Sequence, residues 1–299
     1  MKNIFLYYYN MDVKNIINKN NNYTFSYNFE DYVFLEYKRN IKEIDVLYNI
    51  SNELFNKGIP VHNIIKNKDN SALTNYDNKL YILLKINIVE DRLVNFLDIN
   101  YFLNNSILIK DNSIINKSNW GYLWSIKNDY LEYQISELGI NYKLLVNSFS
   151  YFIGISENAI SYFNSIRDKN YNLYINHKKL NTLFDLYNPL EFIIDSRSRD
   201  IAEYIKYVFY NNYSELWNEV YKIFNSNLLV SEIKLIYSRL LYQTIYFKIY
   251  DDIINGTINE NNIIDILDKT NLYEEFLSDL YYYIIEYNYI DKVDWLLEK

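Results

Sequence analysis

The side chains that could do chemistry are concentrated in one segment of this chain, Leu173–Lys206. The pattern predicts a strand, a turn, a second strand and a helix, with His177 on the first strand and Asp195 at the end of the second. A histidine in this position can act as a base or hydrogen-bond a nearby backbone carbonyl, and we expect the second role. Lys179, two residues later, is a hydrogen-bond donor that has no lone pair to accept a proton while charged.

The helix after the second strand begins in a run of charged residues. Asp195 can pair with Arg197 or Arg199, or cap this helix. Asp200 stands near the predicted helix start, where the helix dipole favours a carboxylate, so we expect it to stabilise that end. Neither carboxylate needs a catalytic role to explain its position.

Composition limits the classes of protein that this chain can be. It has 299 residues, of which 49% are hydrophobic, enough for one large domain or two lobes. The net charge of −8 argues against binding to a nucleic-acid backbone. There is no cysteine, which excludes disulfides, a thiolate nucleophile and a cysteine zinc site. The only two histidines, His62 and His177, lie far apart in the sequence, which argues against a zinc site.

The sequence also carries no sign of membrane insertion or export. No run approaches the roughly 18 apolar residues of a membrane span. The N-terminal MKNIFLYYYNMDV has no apolar core followed by a small-residue cleavage site, so it does not resemble a signal peptide. We therefore expect a soluble protein that is synthesised in the cytoplasm, has no membrane span and does not bind nucleic acid.

Periodicity divides the chain into two unequal regions and predicts an α+β fold. Residues 1–88 are strand-rich around one helix, at 43–55, and form the first predicted region. Within it, Asn15–Asn22 is either a loop between short strands or disordered, and we expect the loop. Residues 89–299 are helical and are interrupted by a hairpin at about 172–196. The strands predicted in the first region are 22–27, 32–37, 62–66 and 79–86.

Aromatic residues are the most unusual part of the composition. The 35 tyrosines accompany many Asn, Ile and Lys residues, a bias that AT-rich codons explain. The clusters Tyr7–Tyr9 and Tyr281–Tyr283 are either adhesive surfaces or partly buried packing, and we expect packing. Trp120, Trp124 and Lys127 have helical spacing, which allows an aromatic shelf beside a cation, although core packing of the tryptophans is the simpler interpretation.

Several segments of the chain resemble a known fold. These include SYNFEDYVFLEY, NWGYLWSIKNDYLEYQISELG and HKKL followed by NPLEFIIDSRSRDIAEYIK. They are similar to the protein-kinase-like superfamily and, within it, to the aminoglycoside phosphotransferase branch. The resemblance is strongest to the kinase-like spore coat-associated proteins of Firmicutes, of the CotS and YutH types. It implies a two-lobe fold with a small antiparallel β lobe that contains one helix, a larger, mainly helical lobe and a place in the spore coat.

The resemblance also assigns roles to positions, and here the chain departs from the pattern of active enzymes. The catalytic loop of active relatives reads H-x-D-x-x-x-x-N, in which the aspartate handles the substrate hydroxyl and the asparagine holds metal. This chain has His177, then Lys179 at the aspartate position and Phe184 at the asparagine position. Asp195 matches the metal-binding aspartate. The resemblance therefore implies a degraded catalytic loop with one potential metal ligand.

The nucleotide-binding parts of the small lobe are also incomplete. Residues 1–35 contain no glycine, which disfavours a loop whose backbone closely approaches phosphates. Lys38, just after YVFLEY, is the best candidate for the phosphate-binding lysine, with Glu43 or Glu53 as its partner on the helix. The alternative is a solvated lysine at the end of a strand, which is the interpretation we favour.

Three hypotheses follow. The leading one is a non-catalytic, kinase-like protein, or pseudokinase, that acts as a structural or interaction component among other proteins, needs no cofactor and reaches the spore coat if its host sporulates. The second is an active small-molecule phosphotransferase that uses Mg-ATP, with Asp195 as a metal ligand. The third is a pseudokinase that binds ATP without turnover.

Overall fold

The structure, a computed structural model, describes residues 1–19, 22–88, 90, 92–106, 113–166 and 172–297. The chain forms two compact units, one of residues 1–116 with 173–195 and the other of residues 117–172 with 196–299. The hairpin at the centre of the sequence pattern thus groups with the N-terminal unit. The predicted boundary between two lobes near residue 88 is not tested by this division into compact units, so it stays a prediction.

All the described strands belong to the first unit, apart from Ser196 at the end of β8. Five of them form an antiparallel path in the order β1-β2-β3-β6-β4, β5 pairs with β6, and β7 and β8 form a separate two-stranded sheet. Their bounds are β1 Ile17–Lys19, β2 Asn22–Tyr27, β3 Glu30–Glu36, β4 Asn63–Ile65, β5 Leu73–Tyr76, β6 Lys79–Ile86, β7 Leu173–His177 and β8 Phe192–Ser196.

Helices make up most of the second unit and four of them lie in the first. Those of the first unit are α1, α2, α3 and α6, and no described helix is both long and apolar enough to span a membrane. The bounds in chain order are α1 Lys2–Tyr9, α2 Ile44–Asn56, α3 Phe96–Asn105, α4 Trp120–Leu138, α5 Lys143–Ser165, α6 Leu183–Tyr187, α7 Ser198–Asn211, α8 Leu216–Phe224, α9 Val230–Leu241, α10 Thr244–Ile254, α11 Ile264–Asp268, α12 Thr270–Ile285 and α13 Asp294–Leu297.

The two faces of the main sheet have different partners because side chains alternate along each strand. On one face, Tyr32 and Phe34 of β3 are buried in an aromatic core with Phe25 and with Phe5 of α1. The Phe5 ring lies 4.4 Å from that of Phe25 and 5.2 Å from that of Phe34, so α1 covers this face. The intervening β3 side chains face the opposite side, where the candidate site lies.

The helical unit is built around three packed helix pairs: α4 with α5, α5 with α9, and α7 with α9. Their facing side chains are apolar at helical spacing, which buries one stripe of each helix. On α5 and α9, for example, Phe152, Phe163, Ile236 and Leu240 are almost completely buried. The helical unit thus has a continuous apolar core between these helices.

The α+β fold class is confirmed, and most predicted elements lie within two residues of the observed ones. The sequence did not predict α1, α6, β5 or β1. Strand β1 lies inside the stretch Asn15–Asn22, and α6 lies where a turn between two strands was predicted. The prediction of a loop for Asn15–Asn22 was therefore wrong for Ile17–Lys19. Asn20 and Asn21 lie outside the described residues. These elements were missed because each is short and becomes stable only by pairing or packing with distant parts of the chain.

Candidate functional site

The segment that includes β7 and β8 places the residues that the resemblance assigns to a catalytic loop inside the first unit. His177 ends β7 and is buried, with Nε2 2.9 Å from the backbone oxygen of Leu186. The predicted hydrogen bond of this histidine to a nearby backbone carbonyl is thus confirmed. Such a contact fixes the loop between β7 and α6, and it leaves Nε2 engaged with the backbone rather than with the cleft.

Lys179 is held by a carboxylate that the sequence reasoning had missed. The Lys179 Nζ lies 3.3 Å from Oδ1 of Asp185, and about half of the lysine side chain is exposed. The other carboxylate oxygen of Asp185 accepts hydrogen bonds from the backbone N–H groups of Asn181 and Thr182, at 3.1 and 3.2 Å. Asp185 therefore caps the start of α6 and neutralises Lys179 at the same time, which engages both of its carboxylate oxygens locally.

Phe184 packs against the interior rather than presenting a polar group. Its ring centroid lies 4.7 Å from that of His62, a fully buried histidine. The backbone N–H of Asn87 donates to His62 Nδ1 at 3.2 Å. Burial lowers the pKa of His62 to about 4, so the ring is neutral at physiological pH. An apolar contact thus occupies the position at which the family pattern has a metal-binding amide.

A cleft of about 1350 Å³ opens beside this loop, entirely within the first unit. The sheet forms one side through the alternate β3 residues Asp31, Val33 and Leu35, and the hairpin segment contributes Lys179 and Phe184. The cleft is open, and aromatic side chains do not fill it. A ligand-sized space therefore survives in this fold.

The strand that carries the phosphate-binding lysine in kinases has no cation facing this cleft. In protein kinases that lysine lies on the strand before the helix and pairs with a glutamate of the helix. Here the cleft-facing positions on β3 are acidic or apolar. Lys38 lies two residues beyond β3, lines the cleft and is exposed, and it forms no ion pair with the described residues. Its role as a phosphate ligand stays a prediction.

The glutamates proposed as partners of Lys38 pair with other residues. Glu43 forms a 2.6 Å ion pair with Arg39, and Glu53 forms a 3.2 Å pair with Lys57 on the surface of α2. Lys38 therefore lacks the helix partner that the sequence suggested. The pairing was not predictable because Arg39 and Lys38 are adjacent, and only the path of the chain after β3 decides which one turns inward.

Arg39 links the sheet to the hairpin. Its Nη1 donates hydrogen bonds to the backbone oxygens of Leu190 and Phe192, at 2.7 and 2.8 Å, at the start of β8. Both side chains of the Arg39–Glu43 pair are nearly buried, with 8% and 12% exposed. The guanidinium thus ties two sides of the cleft together through one charged group.

Glu191 is a second cleft residue that the sequence reasoning missed. Burial raises the pKa of this carboxyl, and the nearby carboxylate of Asp185 acts in the same direction. A cleft carboxyl with a raised pKa is a candidate acid or base. No local pattern marks it, since its burial depends on how the hairpin packs against the rest of the unit.

Lys179, Phe184 and Asp195 together offer few oxygen ligands for Mg²⁺. Asp195 is the second-last residue of β8, is fully buried and is not among the residues that line the cleft; Asn176 Nδ2 donates a hydrogen bond to the backbone oxygen of Asp195 at 3.0 Å. The described residues contain no group of three or more histidine or acidic side chains that could hold a metal ion. A lysine, a phenylalanine and one buried carboxylate do not form the oxygen shell that Mg²⁺ requires. Metal binding by Asp195 stays a prediction.

The aromatic shelf lies in the helical unit and is a core feature. Trp120 and Trp124 are buried, with ring centroids 5.5 Å apart, which confirms core packing. The cation over Trp120 is Arg239, at 4.8 Å, whereas Lys127 pairs with Asp251 at 2.6 Å. The sequence spacing on one helix could not reveal Arg239, which comes from α9.

The tyrosine clusters are partly buried, as expected, but each contains an exposed ring. Tyr7 is 63% exposed and Tyr282 is 51% exposed, while Tyr281 and Tyr283 are half-buried. Asp200 lies in the first turn of α7 and is buried, which confirms its predicted position near the helix N-terminus.

The fold is that of the aminoglycoside phosphotransferases, which have a protein-kinase-like architecture. The aminoglycoside phosphotransferase of Alicyclobacillus acidocaldarius superposes with a TM-score of 0.63 and 11% identity, covering 92% of this chain and 93% of that one. The spectinomycin phosphotransferase APH(9)-Ia, solved with ADP and spectinomycin, superposes with a TM-score of 0.54 and 12% identity over 92% of each chain. Identities this low establish the fold alone.

Sequence comparison then defines the family. Residues 2–280 match the family model described as "Spore coat putative kinase YutH". The chain therefore belongs to this family, as its motifs suggested. The endospore coat-associated protein YutH of Bacillus subtilis strain 168 is 25% identical over 179 residues, which are 52% of this chain and 52% of that protein. The match thus spans about half the length of the curated relative.

Proposed function

We propose that this protein is a non-catalytic member of its family that acts in the spore coat by binding other proteins. The observation that carries the proposal is the ion pair between Lys179 and Asp185. The position that active relatives give to the catalytic aspartate holds Lys179, whose charge Asp185 neutralises. Phe184, next to Asp185, packs on His62. Phosphoryl transfer depends almost entirely on positioned carboxylates and metal ions, so these contacts remove its central requirement.

We expect Mg-ATP to leave the thermal stability of the protein unchanged. A ligand present at about 100 times its Kd stabilises a protein by about 2.7 kcal/mol, which is a readily measured shift of Tm. The measurement is thermal unfolding with and without millimolar Mg-ATP, beside a transfer assay with labelled ATP. An ATP-binding aminoglycoside phosphotransferase serves as the positive control.

If Mg-ATP does shift Tm, the effects of single substitutions distinguish an ATP-binding pseudokinase from an active phosphotransferase. A shift that Lys38→Met removes, without any phosphoryl transfer, identifies an ATP-binding pseudokinase. Transfer that is abolished by Asp195→Asn contradicts the proposal and supports an active phosphotransferase. The structure offers one observation in favour of that second function, the raised pKa of Glu191 in an open cleft. Transfer lost in Glu191→Gln would make this carboxyl its base.

We expect the protein to be found in the spore coat whether or not its cleft is chemically active. A fluorescent fusion, expressed in a sporulating Bacillus subtilis strain that lacks its own YutH, should appear in the coat fraction of purified spores. The Asp195→Asn fusion should be present there in the same amount, because coat association rests on protein contacts. A fusion that stays in the mother-cell cytoplasm contradicts the coat role, and a loss confined to Asp195→Asn contradicts the non-catalytic one.

A further inference from the structure

Helix α4 displays an apolar, aromatic stripe to solvent. Tyr122, Ile126, Tyr130 and Tyr133 are 62%, 48%, 51% and 66% exposed. With about 100° of rotation per residue, their spacing places all four within roughly a quarter of the helix circumference. Exposed large hydrophobic residues are normal when scattered, but a continuous row on one helix marks a contact surface.

The stripe stands on a rigid support. The opposite side of α4 is anchored by Trp120, Trp124 and Leu131, all of which are buried. Trp124 stacks on Tyr242 at 4.4 Å between ring centroids, which ties α4 into the core of the unit. Tyrosines on a fixed helix offer large contact area at a small loss of conformational entropy, which favours binding.

Carboxylates accompany the stripe without cationic partners. Asp129, Glu132 and Glu137 are exposed on α4, and none of them forms an ion pair or hydrogen bond with the described residues. By the same spacing, Glu137 falls within the arc of the tyrosines and Asp129 lies about 20° outside its edge. The only lysine of α4, Lys127, is engaged by Asp251 through both carboxylate oxygens, at 2.8 and 2.6 Å. The helix therefore presents unneutralised negative charge beside its aromatic rings.

The charge of the whole unit has the same sign. The helical unit contains 15 basic and 22 acidic residues, a net charge of −7, out of −8 for the protein. The first unit is nearly neutral, at −1. A field of this sign attracts cationic partners to the helical unit and repels nucleic acid.

We propose that this surface, made of Tyr122, Ile126, Asp129, Tyr130, Tyr133 and Glu137 and called here the α4 surface, binds a lysine- or arginine-rich segment of another protein. The ammonium and guanidinium groups pair with the carboxylates and lie over the tyrosine rings, and their aliphatic stems cover the stripe. This inference names the chemistry of the partner and rests on the proposed interaction function.

The experiment measures binding of a fluorescently labelled ten-residue lysine peptide by anisotropy. The variants Tyr130→Ser/Tyr133→Ser and Asp129→Asn/Glu137→Gln should each weaken binding about tenfold, since each removes two contacts of the surface. The matched controls change the same residue types elsewhere in the unit. Tyr282→Ser/Tyr287→Ser and Asp265→Asn/Glu275→Gln alter exposed side chains and should leave the Kd within about twofold.

Zero-length carbodiimide cross-linking of the same peptide gives an independent readout of position. Cross-links should concentrate on Asp129 and Glu137. Cross-links spread evenly over Asp265 and Glu275 as well, or equal losses of affinity in variants and controls, would show only general attraction to an acidic protein and would overturn the proposal.

A second copy of this chain is the competing occupant of the surface. Light scattering tests it, since a wild-type dimer that Tyr130→Ser/Tyr133→Ser converts to monomer, without peptide binding, would also overturn the proposal. These results are separable from the proposed function, because a protein that fails to bind the peptide can still appear in the coat fraction and still ignore Mg-ATP.

Discussion

Replacing Arg39 by methionine should lower the free energy of unfolding by about 3–5 kcal/mol. The guanidinium is almost buried and serves Glu43 and the backbone oxygens of Leu190 and Phe192 together. Methionine fills a similar volume but leaves a nearly buried carboxylate and two backbone carbonyl groups without this donor. The loss should be measured by urea unfolding, with the slope of the transition checked for a change in the denatured state.

A surface ion pair of the same sheet provides the control. Lys79 pairs with Glu36 at 3.3 Å, and about half of the lysine is exposed. Lys79→Met should therefore cost less than about 1 kcal/mol. Arg39→Lys should fall between the two, since lysine keeps the charge but cannot reach three acceptors with a planar fork. A loss of unfolding free energy below about 1 kcal/mol for Arg39→Met would show that the contacts of Arg39 do not hold the hairpin.

Acidification should destabilise the protein between pH 6.5 and 4 because of His62. Its pKa is about 4 in the folded protein, lowered by burial from an ordinary value of 6.5. In this window the unfolded chain binds a proton that the folded protein does not, so stability is complete above pH 6.5 and is lost as the pH falls towards 4. The shift corresponds to about 3 kcal/mol.

The His62→Gln variant isolates this effect. Glutamine does not titrate, so the difference in unfolding free energy between wild type and variant should shrink by about 3 kcal/mol from pH 7 to pH 4. All other groups contribute equally to both proteins and cancel in the difference. A difference that stays constant with pH would mean that His62 titrates normally and that its contact with Phe184 opens easily.

The elements around the site were predictable to different degrees. Strand β6 and helix α2 have strong patterns, KLYILLKI and a 13-residue amphipathic helix, and were predicted within one residue of their bounds. Helix α1 has eight residues and buries only Phe5 completely. Its stability comes from the sheet face that it covers, and no local pattern records that face.

The residues of the candidate site were also predictable from the sequence to different degrees. Motif spacing identified Lys179, Phe184 and Asp195, since a catalytic loop is contiguous in sequence. It did not identify Asp185 as the partner of Lys179, or Glu191 as a half-buried cleft carboxyl with a raised pKa. Their roles depend on the fold of the loop and on the exclusion of water, which are tertiary properties.

By itself, the sequence determined the fold class and the family, because these depend on patterns and motifs along the chain, and it placed Lys179 and Phe184 where the catalytic loop of active relatives has aspartate and asparagine. Tertiary structure alone decided that Arg39 rather than Lys38 turns inward, and that Phe184 meets His62 across 122 residues of chain. It also decided which tyrosines are buried and which remain exposed on α4. Burial and long-range pairing follow from how distant segments pack, and neither composition nor periodicity contains that information.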